Sequence, residues 1–230
     1  NTLDDQETVA QIIQKYDFSA LPIVDSENRL VGIVTVDDVV DVLQEEATED
    51  IEKMAAILPT DKPYLRTGVL ETWKKRIPWL LLLMVSATFT SAILTHFENA
   101  LAAQSALIAF IPMLMDTGGN AGGQSSVTII RGLSLQEIEL KDIFAVIWKE
   151  IRVAMLCGIA LATANFAKLM LIDRLLNPDI TVRIALVVCI TLVIAVLFAK
   201  IIGCTLPILA KRIGFDPAVM ASPFITTIVD

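Results

Sequence analysis

Asp116, Asn120 and Gln124 recur at every fourth position of an otherwise apolar stretch. Residues spaced i, i+4 and i+8 share one face of a helix. A carboxylate and two amides at membrane depth would be expensive in lipid. Gly118, Gly119, Gly122 and Gly123 are interleaved with them, and hydroxyls follow at Ser125 and Ser126. Glycines at this depth permit close helix contact, or a local break that frees carbonyls to coordinate. Small-residue packing accounts for the glycines but not for the polar stripe. Such groups persist inside a bilayer only where they face protein or a water-filled route. The stripe, with Gly119 beside it, therefore reads as the lining of a path for something polar.

Asp216 is the second candidate. It follows Gly214-Phe215 and precedes Pro217, which suits the first turn of a helix. Two readings stay open, a capping carboxylate at the membrane boundary and a carboxylate presented at the mouth of a pore. The third constellation is acidic: Asp37, Asp38, Asp41, Glu45, Glu46, Glu49, Asp50 and Glu52. Asp38, Asp41, Glu45 and Glu49 fall near one helical face. Like charges one turn apart cost the helix stability. A divalent cation would compensate; a solvated charged face is the plainer alternative.

Other chemistry finds no support. His96 is the single histidine and reads as interfacial. Cys157, Cys189 and Cys204 lie in apolar segments without metal-ligand spacing and read as small core residues. No Ser-His-Asp set, Walker loop, zinc spacing or dinucleotide fingerprint is present, so the chain does not read as an enzyme.

These residues sit on an uneven chain. Of 230 residues, 55% are hydrophobic, and mean hydropathy is +0.67. Residues 1–71 hold 16 acidic and 5 basic side chains, and residues 72–230 hold 10 and 13, so the net −8 divides into −11 and +3. An acidic soluble head thus precedes a membrane domain. A surface this acidic repels nucleic acid and attracts metal cations.

Residues 1–46 read as a βαβ-like soluble unit. Val9, Ile12 and Ile13 are helix-spaced, residues 21–24 and 30–34 are strands, and 25–28 is a turn. A helix starts at Val36 with Thr35 as N-cap and Asp38 at its third position. Forty-six residues can hardly bury an independent core. Residues 47–76 read as a helical connector, amphipathic over 47–58, broken by Pro59 and Pro63, and resuming over 65–76. Lys74-Lys75-Arg76 precedes Trp79 as a membrane entry point.

Residues 77–230 hold four apolar spans, near 77–97, 102–130, 151–172 and 183–209, and the start of a fifth near Asp216. Each complete span meets the ~20 residues a bilayer needs. Residues 136–150 read as a polar segment along the inner surface, with Glu150 and Asp173 interfacial and with Lys168 and Lys200 snorkelling. With the amino end inside, nine basic residues flank the inner face and only Arg174 and Arg183 the outer one, which places the head in the cytosol. The polar opening at Asn1 does not read as a signal peptide. The missing initiator Met and the end at Asp230 predict a piece of a longer protein with its fifth span cut short. The fold class expected is a mostly α-helical polytopic membrane protein with a small α/β unit at its amino end.

Residues 20–25 and 29–39, Ala-Leu-Pro-Ile-Val-Asp and Arg-Leu-Val-Gly-Ile-Val-Thr-Val-Asp-Asp-Val, resemble the closing half of a CBS domain. With the connector, Pro112 through the Gly-Gly-Asn-Ala-Gly-x-Gln-Ser run, and Gly214-Phe215-Asp216-Pro217-Ala218, the whole chain resembles the MgtE family of magnesium channels and transporters. The resemblance implies a homodimer in the plasma or inner membrane with the ion path on its two-fold axis. It implies that Asp216 binds a hydrated magnesium ion with its twin, and that Asn120 lines the same path. It also implies magnesium sensing in the cytosol at Asp38, Asp41, Glu46, Glu49, Asp50 and Asp25, through a plug helix over 47–76. Thr35 and Asp38 fit a CBS pattern for ATP. Two alternatives remain open: a less selective carrier for cobalt, nickel or manganese, and a membrane-anchored CBS sensor without transport.

Overall fold

A computed structural model describes residues 2–60, 62–102 and 104–229. In chain order the elements are α1 (Gln6–Tyr16), β1 (Ala20–Val24), β2 (Leu30–Thr35), α2 (Val36–Met54), α3 (Val69–His96), α4 (Glu98–Ala102), α5 (Ile111–Ser134), α6 (Ile143–Lys168), α7 (Arg174–Leu176), α8 (Val182–Arg212) and α9 (Ser222–Val229). A mostly helical membrane domain thus carries a small α/β unit at its amino end, as expected.

The small unit runs α–β–β–α rather than in the βαβ-like order expected, because a short turn joins the two strands directly. Its two strands pair antiparallel, Ala20 opposite Thr35, with an irregularity at Ile23/Val24. The turn between them is held by Asp25, which accepts from the Glu27 and Arg29 N–H groups at 2.9 Å each and from Arg29 Nε at 3.0 Å. Ala10 and Ile13 of α1 pack on Val39 of α2, with Leu21 and Val34 from the hairpin. This is a small core, as the length of the segment dictates.

The expected connector helix over 47–76 is not a separate element. The helix that starts at Thr35 continues unbroken to Met54. It stops where Ala56 takes a positive φ of 56°, four residues earlier than expected. An irregular stretch follows, and α3 then runs straight from Val69 into the first span, with Pro78 inside it. Lys74, Lys75 and Arg76 therefore lie on the spanning helix itself.

Among the described residues, three stretches are long and apolar enough to cross a membrane: Val69–His96, Leu140–Leu176 and Val182–Arg212. The second expected span, α5, has 24 residues but falls short on apolarity because of its polar motif. The expected surface segment over 136–150 divides. Leu140–Asp142 is a 3-10 turn, and from Ile143 the chain is already in α6. Residue 216 opens a 3-10 turn, Pro217–Met220, ahead of α9; Asp230, where the fifth span was expected to stop, lies outside the described residues, as does Asn1.

The α5, α8 and α9 helices form the centre of the membrane domain. Gly118, Gly119 and Gly122 receive Val229, Thr226 and Ile225 of α9. On the α8 side, a Cβ on Gly203 would strike the Gly122 carbonyl, and a Cβ on Gly122 would stand 2.9 Å from the Ala199 carbonyl. The helices meet backbone to backbone, as small residues allow. By contrast α3 buries no residue of its apolar window within the chain, and Leu80, Met84, Phe89 and Ile93 are all exposed. Gly203→Val is expected to force α5 and α8 apart at a cost of about 1–3 kcal/mol or more. Thermal unfolding of the purified protein in detergent reads that loss, and an unchanged midpoint would refute the contact.

Candidate functional site

The α5 helix is two-faced. Gly118, Gly119, Ala121, Gly122, Ser125 and Ser126 are buried. Asp116, Asn120 and Gln124 are exposed on the opposite side. Packing therefore explains the glycines, and the polar stripe is the face that packing leaves over. Gly119 is a correction: it was expected beside the lining, but it is buried under Thr226, whose methyl would stand 2.8 Å from an added Cβ. Asp116 and Asn120 border a groove of about 620 Å³ with Leu94 of α3, Met115 and Thr226. Gln124 continues the stripe beyond the groove's lining. A groove walled by Leu and Met with one carboxylate, one amide and one hydroxyl suits a polar solute passing an apolar wall.

Asp216 stands elsewhere, where the soluble unit meets the membrane domain. Its Oδ1 accepts from the Ala218 N–H at 2.8 Å, so it caps the turn that leads into α9. Its Oδ2 accepts from Lys53 Nζ at 2.6 Å. Both readings of this residue are thus partly visible: it is a cap, and it also presents a charged oxygen at a boundary. It does not border the groove of Asp116 and Asn120.

Lys53 is the residue that sequence reasoning missed. It pairs with Asp216 and, one turn back on α2, with Glu49. Burial works against its charge, but the bonds to Asp216 and Glu49 outweigh burial and hold its pKa above the usual lysine value. The available signal was its position four residues after Glu49 on the acidic helix. Around it, Asp50 accepts from the Ser134 hydroxyl at 3.4 Å. Met54 packs on Ile130, Ala218 and Ala221. Gln11 of α1 donates to the Ser134 carbonyl at 3.4 Å. The head is therefore docked on the end of α5 and on the 217–220 turn. Burial raises the Asp50 pKa, and the Asp216 charge raises it further. Glu7 is raised by burial and by Glu46, Asp50, Asp5 and Asp216.

The remaining acidic candidates divide. Asp41, Glu45, Glu46, Glu49 and Glu52 border an open groove with Gln6 and Thr60. Among the described residues, no three acidic, histidine or cysteine side chains converge closely enough to hold an ion. Asp38 accepts from the Thr35 N–H at 3.0 Å and hydroxyl at 2.7 Å, and these bonds, the hydroxyl's first, hold its carboxyl below the usual range. Thr35 and Asp38 are thus engaged with each other at the start of α2. Asp25 is held low by the Arg29 N–H and by its other turn bonds. Each therefore has a local structural task.

Two charges read as superficial are buried. Glu150 is 9% and Lys200 5% exposed; neither is interfacial or snorkelling. Ser125 Oγ donates to Glu150 Oε2 at 2.6 Å and accepts from Lys200 Nζ at 3.1 Å. The signal was available: opposite charges inside apolar spans tend to pair. Lys168 pairs with Asp173 at 3.1 Å. Cys189 and Cys204 are buried free thiols and Cys157 is half-buried, in line with the core reading.

The architecture defines a multi-pass membrane protein whose amino-terminal α/β unit is docked on a polar-striped helical core. A CBS domain model matches residues 2–45, and the MgtE model, described as a divalent cation transporter, matches residues 111–230. The chain belongs to the MgtE family. It is 43% identical over 227 residues to the magnesium transporter MgtE of Thermus thermophilus, covering 98% of this chain and 49% of that protein. It is 37% identical over 234 residues to the magnesium transporter MgtE of Bacillus subtilis, covering 100% and 49%. The corresponding Enterococcus faecalis protein is 33% identical over 227 residues, covering 99% and 48%. The chain spans about half the length of the curated relatives it matches.

Lys53→Met is expected to loosen the head. Tryptic cleavage after Arg66 should accelerate about fivefold, the ratio that ~1 kcal/mol of lost ion pair supplies; an unchanged rate would show that the pair holds nothing. Asp50→Asn acts oppositely. A carboxyl whose pKa is raised on folding penalises the folded state when ionised, and the penalty disappears as pH falls through the raised value. The variant should therefore be more stable than the parent at pH 7, with the difference vanishing under acid. Thermal unfolding across pH reads both limbs.

Proposed function

We propose that the chain is part of a magnesium-selective channel or transporter gated by cytosolic magnesium. The observation that carries this is the exposed stripe of Asp116 and Asn120 on α5, set against an opposite face fully committed to packing. In a bilayer an exposed carboxylate and amide at that depth are costly unless covered or wetted. A second copy of the chain laid across this face would enclose a polar path, in keeping with a homodimer whose pore lies on the two-fold axis. The unburied α3 offers apolar surface for lipid or for that partner. The three relatives' names, each a magnesium transporter, support the choice of ion. Magnesium sheds water reluctantly, so a path of one carboxylate and neighbouring amides suits a hydrated ion. No catalytic role is assigned to any residue.

In this reading the amino end and the CBS unit, residues 1–46, are cytosolic, residues 77–230 form the pore-bearing domain in the plasma or inner membrane, and 47–76 join them. Asp216 is the carboxylate at the cytosolic mouth. The acidic face of α2, Asp41, Glu46, Glu49 and Asp50 above all, is the sensor. Since three carboxylates do not converge among the described residues, its ion sites need a further surface from a partner copy or another segment. Magnesium bound there would neutralise α2 and bias its docking on the spans. Thr35 and Asp38 would have to leave their mutual bonds to hold a nucleotide such as ATP.

Magnesium uptake tests the proposal in cells lacking other importers, with the native protein expressed to equal levels. Wild type should rescue growth at low magnesium. Asn120→Leu and Asp216→Ala should each reduce rescue or lose discrimination against cobalt, nickel and manganese. Rescue by both variants would move the path away from these residues. Failure of wild type, with correct membrane insertion, would favour a CBS sensor without transport.

A further inference from the structure

Three spans meet at one buried charged chain. Lys200 of α8 donates to Ser125 of α5, whose hydroxyl donates to Glu150 of α6; Lys200 and Glu150 stand 3.6 Å apart. Ser125 is only 2% exposed. A serine hydroxyl has one proton, so donation to the carboxylate leaves its lone pair for the ammonium. The order is fixed: ammonium, hydroxyl, carboxylate. None of the three is needed to border the Asp116–Asn120 groove, and the proposed transport does not use them directly.

The surroundings say what they do. Along α8, the glycine face of α5 meets Ala195, Ala199 and Gly203, all small and one turn apart. Small residues let backbones approach, and apolar side chains fill the flanks of the seam, Leu192 and Val196 at Ala121, and Cys204 and Ile208 at Ile129 and Leu133; such contacts are non-directional and fix rotation less sharply than hydrogen-bonded charges do. Removing either partner of a buried ion pair strands the other charge, so the pair tolerates only one setting of the helices. Ser125 lies immediately beyond Gln124, and the setting it fixes decides which side of α5 faces outward. A rotation of one residue, about 100°, would exchange Asn120 for Ala121.

We infer that Glu150, Ser125 and Lys200 form a rotational lock that keeps the stripe of Asp116, Asn120 and Gln124 turned towards the path. Lys200 and Glu150 are positioning residues, acting through Ser125. The inference rests on the pathway reading of the stripe, and the experiment separates the two.

Single cysteines are placed at Asn120 or Ala121 in the native protein after Cys157, Cys189 and Cys204 are each changed to Ala. Their modification by a membrane-impermeant thiosulfonate is timed in native membranes. With Lys200 intact, Asn120→Cys should react quickly and Ala121→Cys, at a site now 8% exposed, slowly. Slow reaction at position 120 overturns the pathway reading, whereas the lock is read from position 121 alone. In Lys200→Met, Ala121→Cys should react about tenfold faster or more, the ratio that ~1.4 kcal/mol of lost registry supplies. Lys200→Arg, which keeps the charge, should leave the rate low. An unchanged rate at 121 in folded Lys200→Met overturns the lock; so does an equal rise in Lys200→Arg, which would assign the effect to packing. Where Lys200→Met does not fold, the neutral pair Lys200→Met with Glu150→Gln decides. A rate held at the parent value overturns the lock, and a rise supports it.

Discussion

Backbone contact between α5 and α8 at Gly122 and Gly203 is the constraint on which the membrane domain depends. It brings two helices closer than side chains would permit, and it makes one face of α5 wholly unavailable for anything else. Everything polar on that helix must then take one of two routes. Ser125 and Ser126 turn inward and are satisfied by Glu150, Lys200 and the Met220 carbonyl. Asp116, Asn120 and Gln124 turn outward. The division follows from low-dielectric energetics, in which a buried polar group must be bonded and an unburied one must find water or a partner.

The same helix is also where the soluble unit attaches. Its last turn offers Ser134 to Gln11 and Asp50, while Ser126, two turns earlier, holds the end of the turn that Asp216 caps. A single element thus carries the polar stripe, the close-packed face and the docking point. Lys53 joins this assembly by electrostatics across sequence-distant segments, since it bridges an acid on its own helix and one 163 residues away. That pair neutralises locally what the net charge of the head would otherwise make repulsive.

Much of this was legible in the sequence because it rests on local rules. The two strand runs with the 25–28 turn between them were read locally, as was the start of α2 at Thr35 and Asp38, while the βαβ-like order was not kept because the strands pair antiparallel as a hairpin. The i, i+4, i+8 spacing separated the polar stripe from the glycines, and the structure keeps that separation. What was not legible depends on tertiary placement. Glu150 looked interfacial because polar residues precede it, yet Ile143 begins the span and carries Glu150 inside. Lys200 looked able to snorkel, but it lies beside the α5 contact, where Ser125 and Glu150 hold it. Gly119 shares its neighbourhood with Asn120 in sequence and faces the other way in space. Asp216 gave a pattern equally suited to a cap and a boundary charge, and only the position of Lys53 shows one carboxylate serving both contacts.

The continuity of α2 carries a mechanical consequence. Its 19 residues form one unbroken rod from the hairpin to Met54, with a length of about 28 Å at 1.5 Å per residue. One end is set by the capping bonds at Thr35, the other by Lys53 and Met54 against the spans. A tilt of about 10° at the hairpin end would sweep the far end by about 5 Å, more than enough to part an ammonium from a carboxylate. The head therefore works with a lever arm: a displacement too small to disturb its own small core becomes, at the membrane, the difference between a made and a broken contact.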